Sequence, residues 1–117
     1  MVSSVYPAIS ALSAFQKKMD VTADNVANVN TDGFKKSRVN LQEGNNGGVT
    51  ASVQQINTPG IMRETIRNDG LEDVESSNVD LAEELPGMIP TKAAYSANIK
   101  TIKTQDAMLG SLLDILS

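Results

Sequence analysis

Apolar residues recur at alternating intervals of three and four at both ends of the chain, and the middle does not share the pattern. Near the N-terminus the row is Val5, Ala8, Leu12, Phe15, Met19, Thr22, Val26 and Val29. Near the C-terminus it is Leu81, Leu85, Met88, Lys92, Tyr95, Ile99, Ile102, Asp106, Leu109, Leu113 and Leu116. Only Thr22, Lys92 and Asp106 interrupt it. A seven-residue repeat places one narrow stripe on one side of a helix, as in a coiled-coil seam. The spacing predicts two long terminal helices, each needing a partner: the other terminus, another subunit, or both. It points to assembly rather than catalysis.

Local signals set the expected boundaries. Ser3 or Ser4 can cap the first helix, and Pro7 is tolerable in its first turn. The helix should end near Val26–Val29, where Asn25, Asn28 and Asn30 lead into Thr31-Asp32-Gly33, with Gly33 at positive φ. Asp80 opens the last helix, and Glu83 three residues on makes a capping box of the Asp type. Pro86 and Pro90 each remove an intrahelical hydrogen bond, and each disfavours helical geometry in the residue before it. A kink or break is therefore expected between about Leu85 and Thr91, followed by uninterrupted helix to Leu116.

The middle reads differently. Lys35 to Leu41 is polar and extended, and Glu43 to Gly48 is a flexible loop. Val49 to Ile56 alternates apolar and polar residues, the pattern of a half-buried strand. Thr58-Pro59-Gly60 has the order a type II turn prefers. Ile61 to Ile66 is then a second strand that would complete a small hairpin. Asn68-Asp69-Gly70 is another turn, and Glu72 to Ser77 a loop or short edge strand. The expected fold is mainly α: terminal helices paired as a coiled coil, with a small β-hairpin or irregular segment between them. It divides into 1–36, 37–76 and 77–117.

Composition narrows the function. The chain has two Phe, two Tyr and no Trp, which suits thin helix seams better than a thick core. A net charge of -4 argues against nucleic acid as a partner. Lys35, Lys36 and Arg38 read as a solvated face. There is no His and no Cys, which removes the commonest general base, the best nucleophile, zinc-type sites and disulfides. Asp69, Glu72, Asp73 and Glu75 match no calcium-loop spacing. No catalytic, metal, cofactor or small-molecule site is expected. A secretory signal peptide is not expected either, because the opening residues lack a basic segment and Ser10 and Ser13 interrupt the apolar run.

Three seam residues have two readings. Asp106 either marks where the stripe drifts, so that Met108 and Leu112 share the buried face, or sets register by pairing with a neighbour's Lys. Lys92 either lays its stem along the seam with its ammonium in water or is that pairing Lys. Tyr95 reads as a seam residue with a wet hydroxyl rather than as a catalytic acid.

Two stretches resemble a known family. Asp24-Asn25-Val26-Ala27-Asn28-Val29-Asn30-Thr31-Asp32-Gly33-Phe34-Lys35 is similar to the N-terminal motif of the bacterial flagellar rod and hook proteins, which carry Asn-x-Ala-Asn-x-x-Thr-x-Gly-Phe after a helix. Ser77-Asn78-Val79-Asp80-Leu81-Ala82-Glu83-Glu84-Leu85 resembles their C-terminal motif, continued by Tyr95-Ser96-Ala97-Asn98 and by Lys100 to Asp106. The residues carrying the match are Asn25, Ala27, Asn28, Thr31, Gly33, Phe34, Asn78, Asp80, Glu83, Tyr95 and Asn98. Pro86, Gly87 and Pro90 depart from the pattern, since family helices usually run straight there.

The resemblance implies a structural axial subunit of the basal-body rod. Its partners would be itself, other rod and hook proteins and the flagellar type III export apparatus, which carries such chains without a cleaved signal peptide. The short middle looks like that of a proximal rod component, while the C-terminal wording is nearer to distal-rod and hook members. The seam residues expected to carry assembly are Leu12, Phe15, Met19, Val26, Tyr95, Ile99, Ile102, Leu109, Leu113 and Leu116, with Leu12, Phe15 and Met19 facing Ile99, Ile102 and Leu109. The competing reading is a non-polymerising rod-like adaptor or assembly factor that keeps only the terminal helices.

Overall fold

The computed structural model describes residues 2–117, with side chains from Val5 onward. The order is α1 (Val2–Ala27), β1 (Ser37–Glu43), β2 (Val49–Gln55), β3 (Met62–Arg67), β4 (Gly70–Glu75) and α2 (Leu81–Leu116). The expected cap at Ser3 or Ser4 falls outside the described side chains. The radius of gyration is 21.0 Å and the extents are 81 × 24 × 21 Å. A globular chain of this length would have a radius near ~13 Å. The molecule is a rod with a thin core.

The helices pack against each other. Lys18, Val21 and Thr22 share a groove with Glu83, Glu84 and Gly87, so the end of α1 lies beside the start of α2 and the pair runs antiparallel. α1 has 26 residues and α2 has 36, a difference of about 15 Å in length. With Thr22 beside Glu84, the start of α1 reaches the level of about residue 104. Beyond that point α2 runs on alone, and every residue from Asp106 to Ser117 is exposed.

α2 is continuous through Pro86 and Pro90, so the expected break does not occur. The prolines are four residues apart and therefore on one side of the helix. Both are exposed, as is Ala82. The carbonyls of Ala82 and Pro86, which lose their partners, therefore open to water rather than to a core. Asp80 is the N-cap, its carboxylate accepting from Ala82 N at 2.9 Å. The capping box stays half made, because the Glu83 side chain turns instead to Lys36 Nζ at 2.8 Å.

The middle contains two antiparallel hairpins rather than one. Ser37–Glu43, expected only to be extended, pairs with Val49–Gln55, placing Val39 opposite Val53 and Leu41 opposite Ala51. Met62–Arg67 pairs with Gly70–Glu75, not with β2. Chain closure explains the choice. Asn68 and Asp69, at φ 45 and 71, form a two-residue loop with both positions left-handed, the tightest hairpin connection. Thr58-Pro59-Gly60 links the hairpins, and Gly60 is not at positive φ, so the type II turn does not form.

The hairpins sit differently. β1–β2 lies on α1, with Val39 buried and Leu41, Val49 and Ala51 half-buried. Ala8, Ala11 and Ala14, three small residues at intervals of three, are the buried apolar positions of α1. Gly48, at φ 82, passes so near the helix that a Cβ there would collide with Ser10 Oγ. That hydroxyl instead accepts from Val49 N at 3.0 Å. Among the described residues, β3–β4 packs on neither helix nor on the first hairpin.

Candidate assembly surface

Where the helices meet, the turn after α1 is held by asparagines. Asn25 is 1% exposed. Its Nδ2 donates to Ser37 O at 2.8 Å and its Oδ1 accepts from Ser37 N at 3.0 Å. One side chain thus stands in for a strand partner to Ser37, and both buried polar groups are satisfied. Asn28 caps its own turn, donating to Asp24 O at 2.9 Å and accepting from Thr31 Oγ1 at 3.1 Å. Gly33 has φ 73, the left-handed geometry the sequence predicts, and its N–H donates to Glu75 O at 2.8 Å.

Asn78 is the second clasp. Its Oδ1 accepts from Lys36 N at 2.6 Å, and its Nδ2 donates to Ile56 O at 2.8 Å and Thr58 O at 2.9 Å. Three chain segments meet on one amide. Lys35 bonds Glu75 and also donates to Thr58 O at 3.2 Å, while Glu75 Oε1 accepts from Gly60 N at 2.7 Å. The Lys35 hydrogen bond, followed by the Gly60 N–H, holds the Glu75 carboxyl below its ordinary pKa against the opposing effect of partial burial. The hydrogen bond and charge of Lys36 do the same for Glu83. Arg63 bonds Asp32 at 2.5 Å and anchors the second hairpin to the turn after α1.

The seam itself is half covered. On α1, Val5, Leu12, Phe15, Met19, Thr22 and Val26 are half-buried and Ala8 is buried, and Val29, just past the helix, is half-buried as well. On α2 the covered positions are Glu84, Met88, Thr91, Tyr95, Asn98, Ile102 and Gln105, with Ala94 and Ile99 beside them. Met88, Tyr95 and Ile102 belong to the expected stripe. At three alternate positions the covered residue is one earlier, Glu84, Thr91 and Gln105 in place of Leu85, Lys92 and Asp106, while Asn98 and Ile99 are both half-buried. Leu85 is exposed, as are Lys92 and Asp106, and neither Lys92 nor Asp106 takes part in an ion pair among the described residues. Thr91 and Asn98 satisfy themselves on the preceding turn, donating to Gly87 O at 3.0 Å and Ala94 O at 2.8 Å.

Of the residues expected to face one another, Leu12, Phe15, Met19, Ile99 and Ile102 are half-buried and Leu109 is exposed. Met108 and Leu112 are exposed, so the drift of the stripe at Asp106 leads to no buried face. Instead Thr104, Ala107, Met108, Ser111, Leu112 and Ile115 line an open trough of about 450 Å³ along the free end of α2. Leu109, Leu113 and Leu116 are exposed beside it.

Some of this surface carried a readable signal that spacing arguments passed over. The seven-residue recurrence of Glu84, Thr91, Asn98 and Gln105 is as strict as that of the apolar row. The interval of three between Ala8, Ala11 and Ala14 marks close approach of another element. Lys36, Ser37, Thr58 and Glu75, which complete the clasps, carried no local signal, because their partners lie far away in sequence.

Two family models match the chain, one toward each end. Residues 6–35 match the family model described as flagella basal body rod protein, and residues 73–115 match that described as flagellar basal body rod FlgEFG protein C-terminal. Residues 36–72 lie between the two matches. The flagellar hook protein FlgE of Borreliella burgdorferi is 54% identical over 43 residues, 37% of this chain and 10% of that protein. The flagellar basal-body rod protein FlgG of Bacillus subtilis is 54% identical over 43 residues, 37% of this chain and 16% of that protein. FlgG of Buchnera aphidicola is 47% identical over 55 residues, 47% of this chain and 20% of that protein. The matched part is in each case well under two thirds of the relative's length.

Proposed function

Because the chain belongs to the flagellar basal-body rod and hook family, we propose that it is a structural subunit of the flagellar axis, a short rod component that assembles through its terminal helices. The observation that supports this most is the bare end of α2. Met108, Leu109, Leu112, Leu113, Ile115 and Leu116 are all exposed on a helix that has outrun its partner. Fully burying one such side chain is worth roughly 1.5–3 kcal/mol. A patch of this kind is covered when another axial subunit lies against it. The covering surface differs from the patch, so the contact is heterologous and leads to an open filament rather than a closed ring. Coiled-coil pairing of the seam residues, between chains rather than within one, belongs to this proposal.

The same reading places the protein in the basal body, delivered through the flagellar export apparatus, with itself and other rod and hook proteins as partners and no catalytic role. No described helix is long and apolar enough to cross a membrane. The test is polymerisation of the purified chain at high concentration, alone and with other axial proteins, followed by electron microscopy. Filaments or mixed assemblies are expected. The adaptor reading draws on one observation: α1 and the middle of α2 already satisfy each other within a single chain. A chain that remains monomeric in every mixture, yet binds one axial partner at one-to-one stoichiometry, would favour the adaptor.

A further inference from the structure

The outer face of β3–β4 is unusual for a free hairpin. Side chains alternate across a strand, so Met62, Glu64, Ile66, Leu71 and Asp73 share one face with Glu75, which is half-buried at the hairpin's base and bonded to Lys35. Thr65 and Val74, on the other face, are half-buried, whereas all five of these are exposed. Ile66 and Leu71 are direct cross-strand partners at 77% and 73% exposure. Glu64 and Asp73 are also direct partners, two like charges opposed with no cation bonded to either among the described residues. An opposed like-charge pair weakens a hairpin. The free chain gains nothing from an apolar pair beside an acidic pair, both in water.

A matching surface lies elsewhere on the molecule. The groove between α1, β1 and the start of α2 encloses about 280 Å³ and is lined by Lys18, Lys36 and Arg38 together with Val21 and Val39. Lys36 is occupied by Glu83. Lys18 and Arg38 are in no ion pair among the described residues. Glu83 and Glu84 are on the opposite wall, so the cations gather on the α1 and β1 side. In a chain of net charge -4, this is a concave site over an apolar floor with two cations outside any ion pair, of which Arg38 also acts through its charge on Glu83.

We propose that the outer face of β3–β4 of one copy docks into the α1–β1–α2 groove of a second copy. Ile66 and Leu71 cover the valines, and Glu64 and Asp73 meet Lys18 and Arg38. The hairpin does not make this contact within its own chain, where it packs on neither helix. The two surfaces are different, so the contact repeats head to tail and adds a second, charge-selected link to the helix seam. This deepens the rod reading and rests on it.

The experiment uses the full chain and two double variants, Glu64→Lys with Asp73→Lys and Lys18→Glu with Arg38→Glu, in sedimentation velocity at low salt. The wild-type chain should associate, and each variant alone should associate at least ~10-fold more weakly. An equal mixture should recover wild-type association, because every contact between the two variants is then complementary. Unchanged association of either variant alone, or no recovery on mixing, overturns the docking. If association survives charge reversal but is lost on removing residues 107–117, the docking fails while the helix-seam reading stands. A wild-type chain that never associates overturns the docking as well.

Discussion

From Glu84 to Gln105, α2 lies against α1 and turns a polar residue inward at every seventh position. From Asp106 to Leu116 it lies against nothing and presents leucines. The usual arrangement is inverted, with the mixed face covered and the apolar face open. Strict apolar packing in the first stretch would satisfy the chain by itself. A polar row, with Thr91 and Asn98 bonded to their own helix, makes that contact adequate but modest. The apolar area is kept at the free end, where no described part of the chain covers it. The difference teaches that periodicity reports the need for a partner, whereas burial identifies which part of the need the chain meets alone.

Removing residues 107–117 should break the comparison most completely. It deletes the bare stretch and leaves the covered one. Assembly should be abolished, while hairpins and helix pair persist. Analytical ultracentrifugation and far-ultraviolet circular dichroism check the two halves of this statement. Loss of the whole fold would show that the tail serves the monomer instead.

Asn25→Ala should act on the covered side only. It strands the N–H and C=O of Ser37 and removes a side chain that is 1% exposed. A loss of about 2–4 kcal/mol is expected in urea denaturation. Ile102→Asp should follow at about 2 kcal/mol, since a half-buried isoleucine is exchanged for a charge beside Asn98 and Gln105. It should also prevent filament formation. Filaments and motility at wild-type level in that variant would remove the seam from the account.

How much of this was legible in the sequence depends on distance along the chain. The α1 turn and its left-handed Gly33 were readable, because Asn28, Thr31 and Gly33 act on one another within a few residues. Strand pairing was less so. Val49–Gln55 was recognisable as a strand, but in its partner Ser37–Glu43 only Val39 and Leu41 are apolar, an alternation too short to mark a strand among its polar neighbours, and Pro59-Gly60 suggested the wrong turn. That the helix is unbroken at Pro86 and Pro90 was not legible, because the sequence does not show that both prolines face water. Of the expected row, Met88, Tyr95, Ile99 and Ile102 are covered within the chain, whereas Leu85, Lys92 and Asp106 are exposed beside covered Glu84, Thr91 and Gln105. A heptad row has two flanks, and spacing alone does not say which one turns inward.

Smaller effects sharpen the boundary between the two regions. Gly33→Val forces a β-branched residue to φ 73 and should cost about 1–2 kcal/mol, read as a lowered urea midpoint. Acidification should have the mildest effect. Glu75 and Glu83 have carboxyls held below their ordinary pKa by Lys35 and Lys36. Their contribution is complete above the ordinary carboxylate value and is lost as pH falls through the lower folded value. Stability should therefore fall on the acid side of that range, and Lys35→Met with Lys36→Met should flatten the acid limb.

The most direct test of the account is amide hydrogen exchange along α2 in the dilute monomer and in the assembled state. In the monomer, amides from Met88 to Ile102 should be protected and those from Met108 to Leu116 should exchange freely. Assembly should protect the second group at least as strongly as the first. Strong protection of the free end in the monomer, or free exchange there within a filament, would contradict the claim that this end of the helix is covered by another chain.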